Sequence, residues 1–182
     1  MEINISRLQN GLLTLAKIGV RPDGGISRLA LTDEDKLARD LVSGWMREAG
    51  LTISIDEMGN IFARREGASP HVPPVLMGSH LDTVVAGGKF DGALGVMGAL
   101  EVVKTLNENR IVTIHPVEIV IFTNEEGARY QPAMMASGVL VGDIPLQVAY
   151  RTEDRSGKSF QAELTRIGYQ GQLKCGPRPI KA

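Results

Sequence analysis

Between Thr32 and Gly50 the apolar residues Leu37, Leu41, Trp45 and Ala49 recur every four positions beside Ala38, Val42 and Met46. Wound at 3.6 residues per turn, that spacing makes one broad apolar stripe, which predicts a helix packed into a core. Thr32 fits as its N-cap, and Asp33, Glu34 and Asp35 put negative charge on the first turn, where the helix dipole favours it. Gly50 fits as the residue just past the end. Ile5 to Ile18 has a weaker helical spacing and reads as a peripheral helix stopping near Gly19. Leu51, Ile53 and Ile55 alternate with Thr52, Ser54 and Asp56; a turn at Met58-Gly59-Asn60 and a run from Ile61 to Arg65 complete a predicted hairpin.

After the proline-rich loop from Gly67 to Pro74, the pattern changes to short, almost wholly apolar runs. Val75-Leu76-Met77 and Val117 to Phe122 read as buried strands, with a helix from Gly92 to Asn107 between them. Gly92, Gly95 and Gly98 fall at three-residue spacing and suggest close packing of that helix on a sheet. Farther on, Gln131 to Gly142 reads as a mixed loop or short helix, Glu153 to Ser159 as polar chain, and Phe160 to Ile167 as a helix ended by Gly168.

Composition narrows the function class. With 20 basic and 21 acidic residues and no long run of either, the chain lacks the electrostatic footprint of a nucleic-acid or anionic-membrane binder, so small molecules are the expected partners. One cysteine, Cys175, has no partner for an internal disulfide, and the opening MEINISRLQN lacks the pattern of a secretory signal. A reducing, cytoplasmic setting is expected, and no apolar run approaches the ~18 residues of a membrane span.

The chemistry concentrates where the predicted strands end. Gly78-Ser79-His80-Leu81-Asp82-Thr83 and Gly87 to Gly92 put one imidazole and two carboxylates, His80, Asp82 and Asp91, within twelve residues. The second strand runs into Thr123-Asn124-Glu125-Glu126-Gly127. Ligands in open α/β sheets gather where neighbouring strands end, so these five side chains are expected to share a crevice. On an extended backbone His80 and Asp82 point the same way, which lets one bind a metal while the other steadies it. Taken alone, His-x-Asp is a weak motif and Asn-Glu-Glu-Gly is more often a solvated turn. No G-x-G-x-x-G is present, and Gly88-Lys89 is followed by Phe90, so phosphate binding is disfavoured. His71 reads as a solvated loop residue and His115, beside Pro116, as structural or solvated.

GSHLDTVVAGGKFDG followed by FTNEEGARY, together with RLALTDEDKLARDLVSGWMREAGL and DEMGN, resembles the metal-dependent amidohydrolases that include N-carbamoyl-L-amino acid hydrolase, allantoate amidohydrolase and ureidopropionase, relatives of the carboxypeptidase G and aminoacylase metallopeptidases. The resemblance covers nearly the whole chain. It implies an α/β fold, three-layer αβα with a mixed, mainly parallel sheet, as the N-terminal part of a zinc-peptidase-like catalytic domain. It also implies two divalent metal ions, zinc or manganese: Asp91 bridging them, His80 on one and Glu126 on the other, Asp82 orienting the His80 imidazole, and Glu125 as general base.

The activity implied is hydrolysis of a linear amide or ureido carbon–nitrogen bond. An N-carbamoyl-L-amino acid is the leading substrate and allantoate the runner-up. By the same resemblance, residues 1–182 make a partial catalytic domain, Gly176 to Ala182 leads into a strand carrying a further metal-binding histidine, and the lid that contacts substrate and forms a homodimer is missing. With only part of the ligand set, an inactive fragment that retains some metal binding is the alternative of a different class.

Overall fold

The computed structural model describes residues 2–177. Its elements run α1 (Ile5–Leu15), α2 (Asp33–Glu48), β1 (Thr52–Ile55), β2 (Ile61–Arg65), β3 (Val75–His80), α3 (Ala93–Glu108), β4 (Val117–Phe122), α4 (Met135–Val141), α5 (Leu146–Arg151) and α6 (Phe160–Arg166). The predicted helices and strands all appear, and α5 is additional. The end of the segment expected to lead into a further strand, residues 178–182, lies outside the described residues.

The four strands form one sheet in the order β1-β2-β4-β3. This is the expected α/β class with a mixed sheet. The expectation of mainly parallel pairing is corrected: β3 and β4 run parallel, whereas β1–β2 and β2–β4 are antiparallel. The physical reason is in the connections. A tight turn joins β1 to β2, and strands so joined must be antiparallel. Asp56 closes that turn, its Oδ1 accepting from the main-chain N–H groups of Met58 and Asn60, both at 2.9 Å. The longer crossover through α3 returns β4 alongside β3 in the same direction, and β4 enters between β3 and β2.

One face of the sheet, with Ile61, Ala63, Met77, Ile119 and Ile121, packs into the main core with Ala38, Val42 and Met46 of α2 and Val96, Leu100 and Val103 of α3. Helix α1 lies against α3. The other face is more thinly covered: Phe62 and Val120 are buried under Leu140 of α4, with Leu76, Phe122 and Cys175 half-buried around them. The two helical layers are therefore unequal.

Helix α2 begins as expected, with the Thr32 hydroxyl accepting from Asp35 N at 3.3 Å, but its core face is rotated from the expected stripe. Leu37 is 57% exposed, whereas Ala38, Val42 and Met46 are fully buried, and the charged Asp35 and Arg39 are buried with them. Leu37 opens the stripe at its solvent edge, while Trp45 and Ala49 farther along the same row are half-buried against the core. Of the three glycines expected to seat α3, Gly95 backs onto Ser79, where an added Cβ would lie 2.8 Å from that side chain, but Gly98 faces open space.

Candidate metal centre

The parallel pairing sets Val75 beside Val117 and His80 beside Phe122, so both strands end level. The chain after each strand consequently turns over the same edge of the sheet. From β3 come His80 and, across the following loop, Asp91; from β4 come Glu125 and Glu126. One ligand atom each from His80, Asp91 and Glu126 lies within 4.8 Å of the others. His80 Nε2 is 3.9 Å from Asp91 Oδ1 and 3.4 Å from Glu125 Oε2. The His80 side chain is buried, Glu125 is part-exposed and Asp91 is 67% exposed, so the cluster opens to solvent on the Asp91 side.

His80 Nδ1 lies 2.9 Å from the main-chain oxygen of Asp82. A carbonyl oxygen only accepts, so Nδ1 carries the hydrogen and the lone pair sits on Nε2, aimed at the carboxylates. Gly92 makes this possible from the other side. It has φ 62, and a Cβ there would lie 2.5 Å from His80 Cε1 and 2.6 Å from Nδ1, so the loop carrying Asp91 can lie flat on the ring only if this residue is glycine.

The Asp82 carboxylate does something other than what the sequence suggested. Its Oδ1 is 4.0 Å from His80 Nδ1, too far for a hydrogen bond. Instead, Oδ1 accepts from the main-chain N–H of Glu125 and Oδ2 from that of Glu126, each at 3.2 Å. Asp82 thus ties the end of β3 to the loop after β4. Burial pushes its pKa up to about 6; the charge of Asp35 adds to the rise, and His80 and the two N–H groups oppose it. Glu126 is also raised, first by burial, with His80 opposing and Asp91 and Glu125 reinforcing.

Behind this lies a buried charged layer that the sequence reading missed. Arg28 donates from Nε to Leu81 O at 2.7 Å, holding the loop after β3. Arg39 donates to Asp35 Oδ2 (2.9 Å), to Gly59 O (2.9 Å) and to Thr123 Oγ1 (3.2 Å), holding the residue just after β4. Asn60 Oδ1 accepts from Thr123 N at 3.0 Å, fastening the hairpin turn to the same point. The available signal was Asp35 and Arg39 standing four apart, one helical turn, on the flank of α2 that carries Ala38, Val42 and Met46. Asn124, left-handed at φ 54, closes the following loop by donating from Nδ2 to Tyr130 O at 2.8 Å.

These residues fit a divalent cation. An acceptor nitrogen facing carboxylate oxygens has no donor among them, and a nitrogen with carboxylate oxygens is a donor set that zinc and manganese accept. Ligand bonds of ~2.0–2.2 Å put two donors on one ion at most about 4 Å apart, so a spread within 4.8 Å needs little closure. His115, by contrast, has its Nδ1 2.7 Å from Pro73 O in an exposed loop and stands outside the cluster, as does His71.

Residues 60–142 match the family model described as Peptidase family M28. Over 181 residues the chain is 48% identical to an N-carbamoyl-L-amino-acid amidohydrolase of Rhizobium meliloti, covering 100% of this chain and 44% of that protein. A second, from Geobacillus stearothermophilus, is 45% identical over 89% of this chain and 39% of its own length. Among solved structures, a hydantoinase/carbamoylase family amidase from Burkholderia ambifaria superposes with a TM-score of 0.96 at 49% identity, over 99% of this chain and 44% of that one. The chain is similar to N-carbamoyl-L-amino-acid amidohydrolases over part of their length. It spans less than half of the relatives it matches. The Peptidase family M28 match runs through both strand-end loops, so the cluster described above falls inside it. Among the described residues no helix is long and apolar enough to cross a membrane.

Proposed function

We propose that the protein carrying this chain hydrolyses the carbamoyl carbon–nitrogen bond of N-carbamoyl-L-amino acids, releasing the L-amino acid, ammonia and carbon dioxide. What carries the reading is the convergence of His80, Asp91 and Glu126, with Glu125 Oε2 3.4 Å from the same imidazole nitrogen. His80 Nε2, Asp91 and Glu126 are the proposed ligands, with Asp91 shared if two ions bind; zinc or manganese suits the set. A bound divalent ion supplies Lewis acidity toward water and the scissile carbonyl. Glu125 takes a proton from the attacking water and delivers it to the departing nitrogen, which leaves as the carbon–nitrogen bond breaks. Asp82 keeps Glu125 and Glu126 in register by holding their main chain.

Identity supports carbamoyl-amino-acid substrates over the runner-up class: the ureidoglycolate hydrolase of Arabidopsis thaliana is 34% identical to this chain and the allantoate deiminase of Glycine max 40% over a shorter stretch, against 48% for the Rhizobium meliloti protein. In the whole protein we place a homodimer in a reducing, cytoplasmic compartment, the latter in keeping with the single Cys175.

The test is ammonia release from N-carbamoyl-L-amino acids and from allantoate by the complete protein, with Glu125→Gln and Asp91→Ala beside it. Glu125→Gln should lose turnover and keep its metal; Asp91→Ala should lose metal as well. Equal metal loss in both variants would contradict the division of labour, and release from allantoate alone would reverse the order of substrates.

A further inference from the structure

Arg28 is 1% exposed, yet its guanidinium forms no ion pair with a carboxylate among the described residues. Asp35 and Asp82 act on it only through space. A charge is costly to bury unless it is met, and here main-chain carbonyls meet it. Nε donates to Leu81 O at 2.7 Å; Nη1 donates to Ile18 O at 3.1 Å and to Leu15 O at 3.4 Å. Leu15 is the last residue of α1 and Ile18 lies in the turn just beyond, where the helix dipole favours a cation.

The other end of the guanidinium reaches the metal centre. Arg28 holds both peptide groups that flank Asp82. The carbonyl of the peptide before it, Leu81 O, accepts from the side chain, and the N–H of the peptide after it, Thr83 N, donates to Arg28 O at 2.9 Å. Thr83 Oγ1 in turn accepts from Arg28 N at 2.9 Å. From the residue so bracketed, contacts run to both ligand loops: Asp82 O receives His80 Nδ1–H, and the carboxylate receives the N–H groups of Glu125 and Glu126. The setting of those two peptide planes therefore decides where the imidazole and the glutamate loop point.

Resting on the metal centre proposed above, we infer that Arg28 is a positioning residue for it: braced on the end of α1, its side chain fixes Asp82 and, through Asp82, the aim of two metal ligands on different loops, His80 and Glu126. Arg28 itself touches no metal ligand atom. The main-chain half of its grip, through Thr83 N, survives any substitution at position 28, so a variant keeps the loop in place but leaves the peptide between Leu81 and Asp82 freer to turn.

The experiment titrates the metal-stripped complete protein with cobalt(II), reading affinity and ligand-field spectrum, beside thermal unfolding of the metal-free form. The parent is compared with Arg28→Met, Arg28→Lys, His80→Ala and, as a core control in the far half of α3, Val103→Ala. We expect Arg28→Met to weaken cobalt binding about 10–100-fold and to shift the spectrum. Val103→Ala should lower the unfolding midpoint and leave both metal readouts unchanged. Arg28→Lys keeps the charge but lacks the planar fork that reaches Leu81 and Ile18 together, so it should fall with Arg28→Met. Parent-like binding in the Arg28 variants, with His80→Ala weakened, would overturn the positioning role alone. Full recovery by Arg28→Lys would do the same, leaving bare charge as all that Arg28 supplies, and so would failure of both Arg28 variants to fold. Cobalt binding indifferent to His80→Ala would overturn the metal centre itself and this inference with it.

Discussion

The imidazole of His80 is oriented by the main chain of Asp82 and not by its carboxylate: Nδ1 is 2.9 Å from the carbonyl oxygen and 4.0 Å from Oδ1. The carboxylate is thereby free to receive the N–H groups of Glu125 and Glu126. Asp82→Asn should therefore disturb the glutamate loop more than the histidine. An amide nitrogen facing an N–H group repels it, and the expected loss of turnover is about 10–100-fold, the range for changes just behind a metal ligand. Metal analysis beside ammonia release checks this: activity should fall by a larger factor than metal content.

Gly92→Ala should damage the same histidine from its other side. The new Cβ would meet His80 Cε1, Nδ1 and main-chain oxygen, all within 2.6 Å, on a backbone at φ 62. Strain of this kind costs about 1–3 kcal/mol. Thermal unfolding and a metal titration should both register the change, the titration as a weaker midpoint even where the variant remains folded.

Arg39→Met should be among the most destabilising single changes in the chain. It leaves Asp35, fully buried, without its partner, and removing one member of a buried pair costs about 3–5 kcal/mol. Because the penalty is an uncompensated charge, adding Asp35→Asn to Arg39→Met should recover part of it. Denaturant unfolding of the two single variants and the double variant gives the coupling directly.

Asp154 yields a pH prediction with a definite sign. Burial raises its pKa, but the N–H groups of Lys158 and Ser156 and the Arg129 guanidinium outweigh it, bringing the value from 3.8 down to about 2. A depressed carboxylate contributes stability above its unfolded pKa and loses it as the pH falls through the folded value. The contribution should be intact above about pH 4 and vanish on approach to pH 2. Asp154→Asn should flatten the acid limb of a plot of stability against pH; an unchanged slope between those pH values would contradict the assignment.

Much of this fold is written in local pattern. The Thr32 cap, the alternation from Leu51 to Ile55 and the apolar run from Val117 to Phe122 each declare an element, and the charged residues following β3 and β4 mark where the site falls; Val75-Leu76-Met77, expected to be buried, is only half-buried because β3 is an edge strand. Neighbour relations are not local. Val117 to Ile121 is buried throughout, which says that β4 is central but not which strands flank it, so the hairpin of β1 and β2 was legible while the antiparallel pairing of β2 with β4 was not. The role of the Asp82 carboxylate was hidden for the same reason, since its partners lie 43 and 44 residues away in the chain. Asp35 looked like a helix-dipole charge because sequence shows its place on the first turn but not that the turn faces inward.

The placement of β4 between β2 and β3 bears on how the protein reaches this state. Strands β2 and β3 are consecutive, yet they do not touch; β4, farther along the chain, joins them. The hairpin of β1 and β2 is local and forms cheaply, whereas joining β3 to β4 closes a long loop and pays its entropy first. Until that closure, His80 and the two glutamates belong to separate segments. Closing the sheet and assembling the metal cluster are then one event, so a metal ion acting on the cluster stabilises the whole fold by mass action and disfavours partly folded forms that lack β4.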